Sequence, residues 1–470
     1  MGIKIDSPHN ILTLRRYLII KSHHIFFLAG LFFTWVIFGL TLGKFPFSDE
    51  GSICLISNGL NHGLEMYRDF FNEKFPLVYY WSAFVTRFTF GGLEGARLAS
   101  VIPTSLTIGI LFYVLSKATK NFKLLIIFSI LILCFFVYSR SFNASTESPL
   151  GLIYLLILLC IYKSNIKPKI QSTAIGSLMG IAFGFRQFAI IPFVVLLFAP
   201  WHRTSRIYYI VGFILSMLTW FSYFLYHGLT TDFYNATLHI FTTNPNISKY
   251  AAPVGFLKGA FLCIFLIALL NYQFATTKKH KWLILFALSC SATFFIRYGN
   301  FRLWPAFVVL LGLLFISKPK KLFHSKNSGC IMYVILLLAI LLTVPYRLIY
   351  QFNSNNTEKY QHIVDVIKKE TTNDQRVLIY PFDPNAYCLS ERLPASKHYF
   401  MMPWTINDDV VKDIIDDINS KKAKLIVVTT RFTETENLMM QSIQSNYSLK
   451  KYVVPIPEGK NNYLVFFRND

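Results

Sequence analysis

Residues 26–50 read FFLAGLFFTWVIFGLTLGKFPFSDE. An apolar run fit to enter a bilayer closes at Gly43-Lys44, and two adjacent carboxylates, Asp49-Glu50, follow almost at once. Arg15, Arg16 and Lys21 precede the run and no small-residue cleavage site follows it, so it reads as a retained first helix, 25–43. Paired carboxylates beside a membrane are costly without a partner or a task. Helix capping by Ser48 or Asp49 explains one of them. The other is left for chemistry, since a carboxylate near lipid has a raised pKa and serves as general base toward a hydroxyl.

The rest of the chain fits a membrane protein. Apolar residues make up 54%, charged residues only 15%, and mean hydropathy is +0.44. The net charge of +22 is unevenly spread: residues 1–349 hold 31 Lys and Arg against 9 Asp and Glu, and 350–470 hold 15 of each. The excess therefore belongs to loops between apolar runs, which argues against a nucleic-acid partner and for cytoplasmic loops. Four of the seven cysteines, Cys134, Cys160, Cys263 and Cys290, lie in apolar runs. None has zinc or redox spacing, and no disulfide framework is expected.

About eleven spans are predicted, near 25–43, 98–116, 123–139, 149–162, 172–185, 187–200, 207–226, 255–271, 282–296, 303–316 and 329–346. With the N-terminus cytoplasmic, every inner loop is positive: Lys117/Lys120/Lys123, Lys163/Lys167/Lys169, Arg203/Arg206, Lys278/Lys279/Lys281 and Lys318/Lys320/Lys321/Lys326. Merging 172–185 with 187–200 would put the last cluster outside, so two helices are expected there. Residues 1–350 form the membrane domain. Its long outer loop, 44–97, carries two short amphipathic helices, 51–60 and 77–90, expected to lie in the interface.

Residues 351–470 read as a separate small α/β domain on the outer side. Helical spacing covers 358–370, 408–420 and 434–445, and β-rich runs cover 376–380, 424–429 and 463–467. No glycine-rich phosphate loop is present, so a nucleotide site is not expected there.

Further charged groups gather at the same outer ends. Tyr67-Arg68-Asp69 and Glu73-Lys74 follow the first short helix, and Glu94 and Arg97 close the loop. Glu147, Arg186, Arg297 with Tyr298, and Arg302 border later spans. An ordinary charged loop accounts for Arg68 and Asp69, and an interfacial anchor for Arg186 or Arg97. The alternative is one polar site, with acids for a hydroxyl and Arg68, Lys74 and the later arginines for a phosphate.

The segment from Asp49 to Ser100 resembles the first outer loop of GT-C superfamily glycosyltransferases, of the bacterial protein-mannosyltransferase and lipid A aminoarabinose-transferase type. The matching residues are Asp49-Glu50, Tyr67-Arg68-Asp69-Phe70-Phe71, Pro76-Leu77-Val78-Tyr79-Tyr80 and Gly92 to Arg97-Leu98. Lys74-Phe75 stands where that family commonly has His-Gly or His-Pro, so no role for that histidine carries over. SFNASTESPLG (141–151) is similar to the second outer loop, with Glu147 at its glutamate. GIAFGFRQFAIIPF (180–193) has Arg186 in place of a lysine, and RYGNFRLWPAF (297–307) is similar to a late helix start.

The resemblance implies an inverting transferase of a hexosyl or pentosyl group. The donor is a polyprenyl-phosphate-linked sugar and the acceptor an envelope glycan, such as lipopolysaccharide, a lipid or a protein. Transfer takes place at the outer face of a bacterial inner membrane, with the C-terminal domain periplasmic, beside the synthase that makes the donor. Asp49 is the expected base. Glu50, Asp69 and Glu147 are expected to orient the acceptor or to take that role instead. Tyr67, Arg68, Lys74, Arg186, Arg297, Tyr298 and Arg302 are the substrate-binding candidates. Basic side chains suffice for a departing phosphate, so no cofactor and no obligatory metal are expected. Two other readings compete: a lipid-linked glycan flippase, against which the chain shows no paired halves, and an O-antigen polymerase or ligase-type enzyme, which would have its large loop late. The C-terminal domain is expected to shape the acceptor side through Asp383 and Glu391.

Overall fold

The computed structural model describes residues 8–40, 42, 48–139, 143–162, 166–199, 203–239, 268, 278–290, 303–317, 357–380, 383–400, 408–429, 434–455 and 462–469. The membrane portion contains α1 (Pro8–Gly39), α2 (Ser48–Asn61), α3 (Leu77–Phe88), α4 (Gly92–Ala118), α5 (Phe122–Tyr138), α6 (Glu147–Tyr162), α7 (Pro168–Phe185), α8 (Ile190–Leu197), α9 (Arg203–Tyr226), α10 (Thr230–Tyr234), α11 (Lys278–Ser289) and α12 (Trp304–Ser317). Two of them, Gly92–Ala118 and Ser205–Tyr226, are long and apolar enough to cross a membrane, with mean hydropathy of 2.0 and 1.6. Five shorter apolar helices accompany them. The expected spans at 329–346 and, apart from Ala268, at 255–271 lie outside the described residues. The fold is a polytopic helical bundle.

Burial sorts these helices into layers. α4 is largely enclosed by its neighbours, whereas α9 exposes Ile207, Val211, Ile214, Leu215 and Leu218. Apolar side chains on such a surface face lipid. α7 and α9 approach backbone to backbone: a Cβ on Gly176 would strike the carbonyl of Tyr209, and one on Gly212 that of Thr173. This is the small-residue contact that membrane helices use. α7 ends at Arg186, whose backbone is extended (φ −158°), and a 3-10 turn, Gln187–Ala189, leads into α8. The run 172–200 is therefore two helices.

Pro103 interrupts α4 and leaves the carbonyl of Ala99 without its helical donor. The indole N–H of Trp81 on α3 donates to that oxygen at 2.6 Å. A helix defect in one element thus becomes the dock for the next, and it fixes α3 against the outer half of α4.

The C-terminal domain has α13 (Thr357–Glu370), β1 (Val377–Tyr380), α14 (Pro384–Ser390), α15 (Asp408–Asn419), β2 (Leu425–Thr429), α16 (Glu434–Asn446), β3 (Tyr447–Pro455) and β4 (Asn462–Arg468). Its sheet has the order β1-β2-β4-β3, with β1 parallel to β2 and the other pairs antiparallel. Strand alternation feeds two cores. Val377, Ile379, Leu425, Val427, Val465 and Phe467 join the core shared with the membrane helices. Leu378, Ile426, Val428 and Phe466 pack with Val410, Ile414 and Ile418 of α15 and with Met439 and Ile443 of α16.

That shared core corrects two sequence expectations. α2 does not leave an apolar face open: Ile53, Cys54, Leu55 and Ile56 are buried, and Gly51 lies so close to Asn385 of α14 that a Cβ there would collide. A disulfide, Cys54–Cys388, joins these two helices across 334 residues, where none was expected. Asp383, expected in a loop, caps α14 by accepting from the N–H of Asn385 at 3.0 Å.

Candidate active site

Asp49 and Glu50 both occupy the first turn of α2, where the helix dipole favours carboxylates. One residue of offset turns them about 100° apart, and they meet different surroundings. Glu50 points inward and is 1% exposed. Its Oε1 accepts from Arg97 Nε at 3.0 Å and from the N–H of Ala144 at 3.0 Å, and its Oε2 accepts from Arg97 Nη2 at 3.1 Å. A buried carboxylate is tolerable because a bidentate guanidinium and a backbone donor replace its water. Glu50 therefore ties α2, α4 and the loop before α6 together. Asp49 instead lies toward the surface. Its side chain is 37% exposed, and Oδ1 stands 3.1 Å from Lys74 Nζ.

Lys74 is held by its neighbours. Its backbone N–H donates to Asn72 Oδ1 at 3.1 Å, and its carbonyl accepts from the Tyr67 hydroxyl at 2.9 Å. Tyr67 is buried between Phe224 and Phe233 with φ of +72°, a left-handed backbone that is strained for a bulky residue. Asp69 closes the same turn, Oδ2 accepting from the N–H of Glu65 at 2.8 Å. Arg68 points away from Asp49. It donates to Glu65 Oε2 at 2.6 Å and to the carbonyl of His227, just past α9, at 3.2 Å, and its Nε lies 3.9 Å from Asp232 of α10. Among the substrate-binding candidates of the first loop, the geometry thus brings Lys74 to Asp49 and takes Arg68 elsewhere.

Glu147 and Arg186 form a second buried ion pair, bridging α6 and the α7 end. Thr146 Oγ1 donates to Glu147 Oε2 at 2.9 Å and accepts from Arg186 Nη1 at 2.9 Å. Gln187 beside it donates to the carbonyl of Glu73 at 3.4 Å, so this pair adjoins the Lys74 loop. Arg297, Tyr298 and Arg302 lie outside the described residues.

Tyr79 was quoted in the sequence motif without a role. It is fully buried on α3, and its hydroxyl has no hydrogen-bond partner among the described residues. Burial, then the neighbouring Tyr399, Glu73, Tyr67 and Asp49, push its pKa well up. A buried neutral hydroxyl beside two carboxylates is a donor ready for a polar ligand. Its place in the Pro76-Leu77-Val78-Tyr79-Tyr80 passage is the sequence signal for it. A separate cavity of about 300 Å³, lined by Cys54, Asn58, His62, Asn373 and Glu391, opens on the face of α2 turned away from Asp49.

No protein-family model and no curated protein sequence matches the chain. Two solved structures share its architecture along almost the whole length. ArnT from Cupriavidus metallidurans bound to undecaprenyl phosphate has a TM-score of 0.63 at 13% identity, covering 94% of this chain and 97% of that one. Apo ArnT from the same organism has a TM-score of 0.57 at 13% identity, covering 97% and 98%. The chain is a polytopic helical protein that shares the fold of ArnT, at low sequence identity.

Proposed function

We propose that this protein is an inverting glycosyltransferase that moves a sugar from a polyprenyl-phosphate carrier to an envelope glycan, lipid or protein acceptor at the outer face of the inner membrane. The observation that carries this reading is the Asp49–Lys74 pair, half-open to the surface at the outer end of the bundle. Asp49 Oδ1 and Lys74 Nζ stand 3.1 Å apart, which supports reading the carboxylate as the proton acceptor and the ammonium as the cation for phosphate. The ArnT structure that holds undecaprenyl phosphate supports a lipid-phosphate donor for this fold.

In this mechanism the Asp49 carboxylate takes the proton of the acceptor hydroxyl. The freed oxygen attacks the anomeric carbon from the side opposite the phosphate. The bond from that carbon to the phosphate oxygen breaks, and its electron pair leaves on polyprenyl phosphate. Lys74 offsets the charge gained by the leaving oxygen, and Arg186, steadied by Glu147 and Thr146, adds to the positive field. The buried Tyr79 hydroxyl, which has no hydrogen-bond partner among the described residues, is assigned as a further donor to that group. Glu50 holds α2 in place for this chemistry and takes no proton, since both its oxygens already accept from Arg97. Arg297, Tyr298 and Arg302, outside the described residues, are assigned to the carrier phosphate from the sequence resemblance alone, and the synthase that charges the carrier is the functional partner.

The Cys54–Cys388 disulfide supports the orientation, because such bonds persist in the periplasm and are reduced in the cytosol. Purified protein is expected to transfer sugar from a polyprenyl-phosphate donor and release polyprenyl phosphate. Transfer directly from a sugar nucleotide, in preparations free of lipid carrier, refutes the reading.

A further inference from the structure

The outer loop and the C-terminal domain meet in a strip of contacts next to Lys74. The N–H of Phe71 donates to the carbonyl of Lys397 at 2.9 Å. The Phe71 ring lies 5.2 Å from the His398 ring, and Phe70 meets Tyr399 edge-on at 5.8 Å. Asn72 Nδ2 donates to the Tyr399 hydroxyl at 2.7 Å, and Asn72 Oδ1 accepts from the Lys74 N–H at 3.1 Å. The orientation of the Asn72 amide follows from chemistry. A backbone N–H only donates, so the amide oxygen must face Lys74 and the amide nitrogen must face the phenol. The Tyr399 hydroxyl is thereby the acceptor, and Asn72 is a rigid link with one end on each side.

We propose that Tyr399 of the C-terminal domain is a positioning residue for the transfer site, acting through Asn72 to hold Lys74 against Asp49. This inference rests on the reading of Asp49 and Lys74 as the reacting pair. Tyr399 acts through Asn72, with which it shares a hydrogen bond, and not through the substrate. It is buried, and the Asn72 that it fixes is buried too, so the chain Tyr399–Asn72–Lys74 has no water to replace a lost member. Burial pushes the pKa of the phenol up, against the opposing pull of the Asn72 and Ser52 hydrogen bonds and with a smaller push from the charges of Glu73 and Asp49, so it stays a neutral hydroxyl across the working range. The C-terminal domain is on this view part of the transfer machinery rather than an appended acceptor module.

The test pairs Tyr399→Phe and Asn72→Ala with Tyr447→Phe, whose hydroxyl donates to the carbonyl of Ala423 inside the same domain. All three lose a buried hydrogen bond, but only the first two break the link. The first readout is the acetylation rate of Lys74 by a water-soluble acetylating reagent, followed by peptide mass spectrometry, which needs no activity. It is expected to rise about fivefold in Tyr399→Phe and Asn72→Ala and to stay at the wild-type rate in Tyr447→Phe. The second is KM for polyprenyl-phosphate sugar, expected to rise about tenfold in both, with kcat changed less and the double variant no worse than either single one. The Cys54–Cys388 bridge, scored in the same peptide map, reports that the domain is docked. Should Tyr399→Phe lose it, Asn72→Ala on the loop side decides. Wild-type Lys74 labelling in a docked variant overturns the proposal. A wild-type protein inactive with the lipid donor overturns the functional reading instead, and the labelling result stands apart from it.

Discussion

Asp49 and Glu50 are chemically alike and adjacent, yet their surroundings require opposite responses to loss of charge. In Asp49→Asn the side-chain volume hardly changes, and the lost ion pair with Lys74 is one whose members are 37% and 21% exposed. Pairs so open to water contribute roughly 0.2–1 kcal/mol. The folded protein should therefore lose about 1 kcal/mol or less. A missing general base lowers turnover about 10²–10⁴-fold, or roughly 3–5 kcal/mol of barrier. Glu50→Gln reverses the balance. It strands the Arg97 guanidinium, which is 2% exposed, and breaking one side of such a pair costs about 3–5 kcal/mol of stability. The assay is turnover at saturating donor and acceptor, with a melting temperature for each variant. Asp49→Asn should be folded and inactive; Glu50→Gln should be unstable, with activity falling in step with the folded fraction. Near-normal turnover in Asp49→Asn refutes the assignment of the base. A Glu50→Gln protein with wild-type melting and no activity shows that the two roles are interchanged.

Other measurements bear on the frame around the site. Cys54→Ser should lower stability by about 2–5 kcal/mol, and the bridge should show as a mobility shift between reduced and unreduced samples; identical mobility counts against it. Glu391 ends α14 with φ of +58°, a conformation that glycine adopts without strain, so Glu391→Gly should stabilise the C-terminal domain by about 0.5–1 kcal/mol in thermal melts. His398 is buried against Asp413, and burial holds its pKa below the ordinary 6.5. The unfolded chain then binds the proton first, so its contribution is full above pH 6.5 and declines as pH falls below that value. A melting temperature that rises between pH 6.5 and 5.5 in the wild type, relative to His398→Gln, contradicts this.

Much of the architecture is legible in local pattern. Hydropathy and the positive inner loops mark the helices, and the sign of the charge demands the break at Arg186 that the backbone shows. In the C-terminal domain the run Lys424–Thr429, all but its ends apolar, announces a central strand, β2. β3 was missed because its register slips between Lys450 and Val453, which blurs the alternation. α14 was missed because it has only seven residues, although Asp383-Pro384 is a cap followed by an N-terminal proline. The site shows the same division. Asp49, Lys74, Glu147 and Arg186 stand out as charges at apolar ends. That Glu50 belongs to Arg97, 47 residues away, and Cys54 to Cys388 is a matter of tertiary contact that no local spacing records.

The shared core between α2 and the C-terminal sheet also has a temporal meaning. α2 is made well before the strands that cover it. Until residues 377–399 have been made and docked, the Asp49 end of α2 has no cover and Asn72, which holds the Lys74 N–H, lacks its Tyr399 partner. A half-synthesised chain can hold its helices in lipid while its reaction centre does not yet exist. On the proposed reading, a chain still being inserted is silent, and sugar transfer begins only once residues 377–399 have docked on α2.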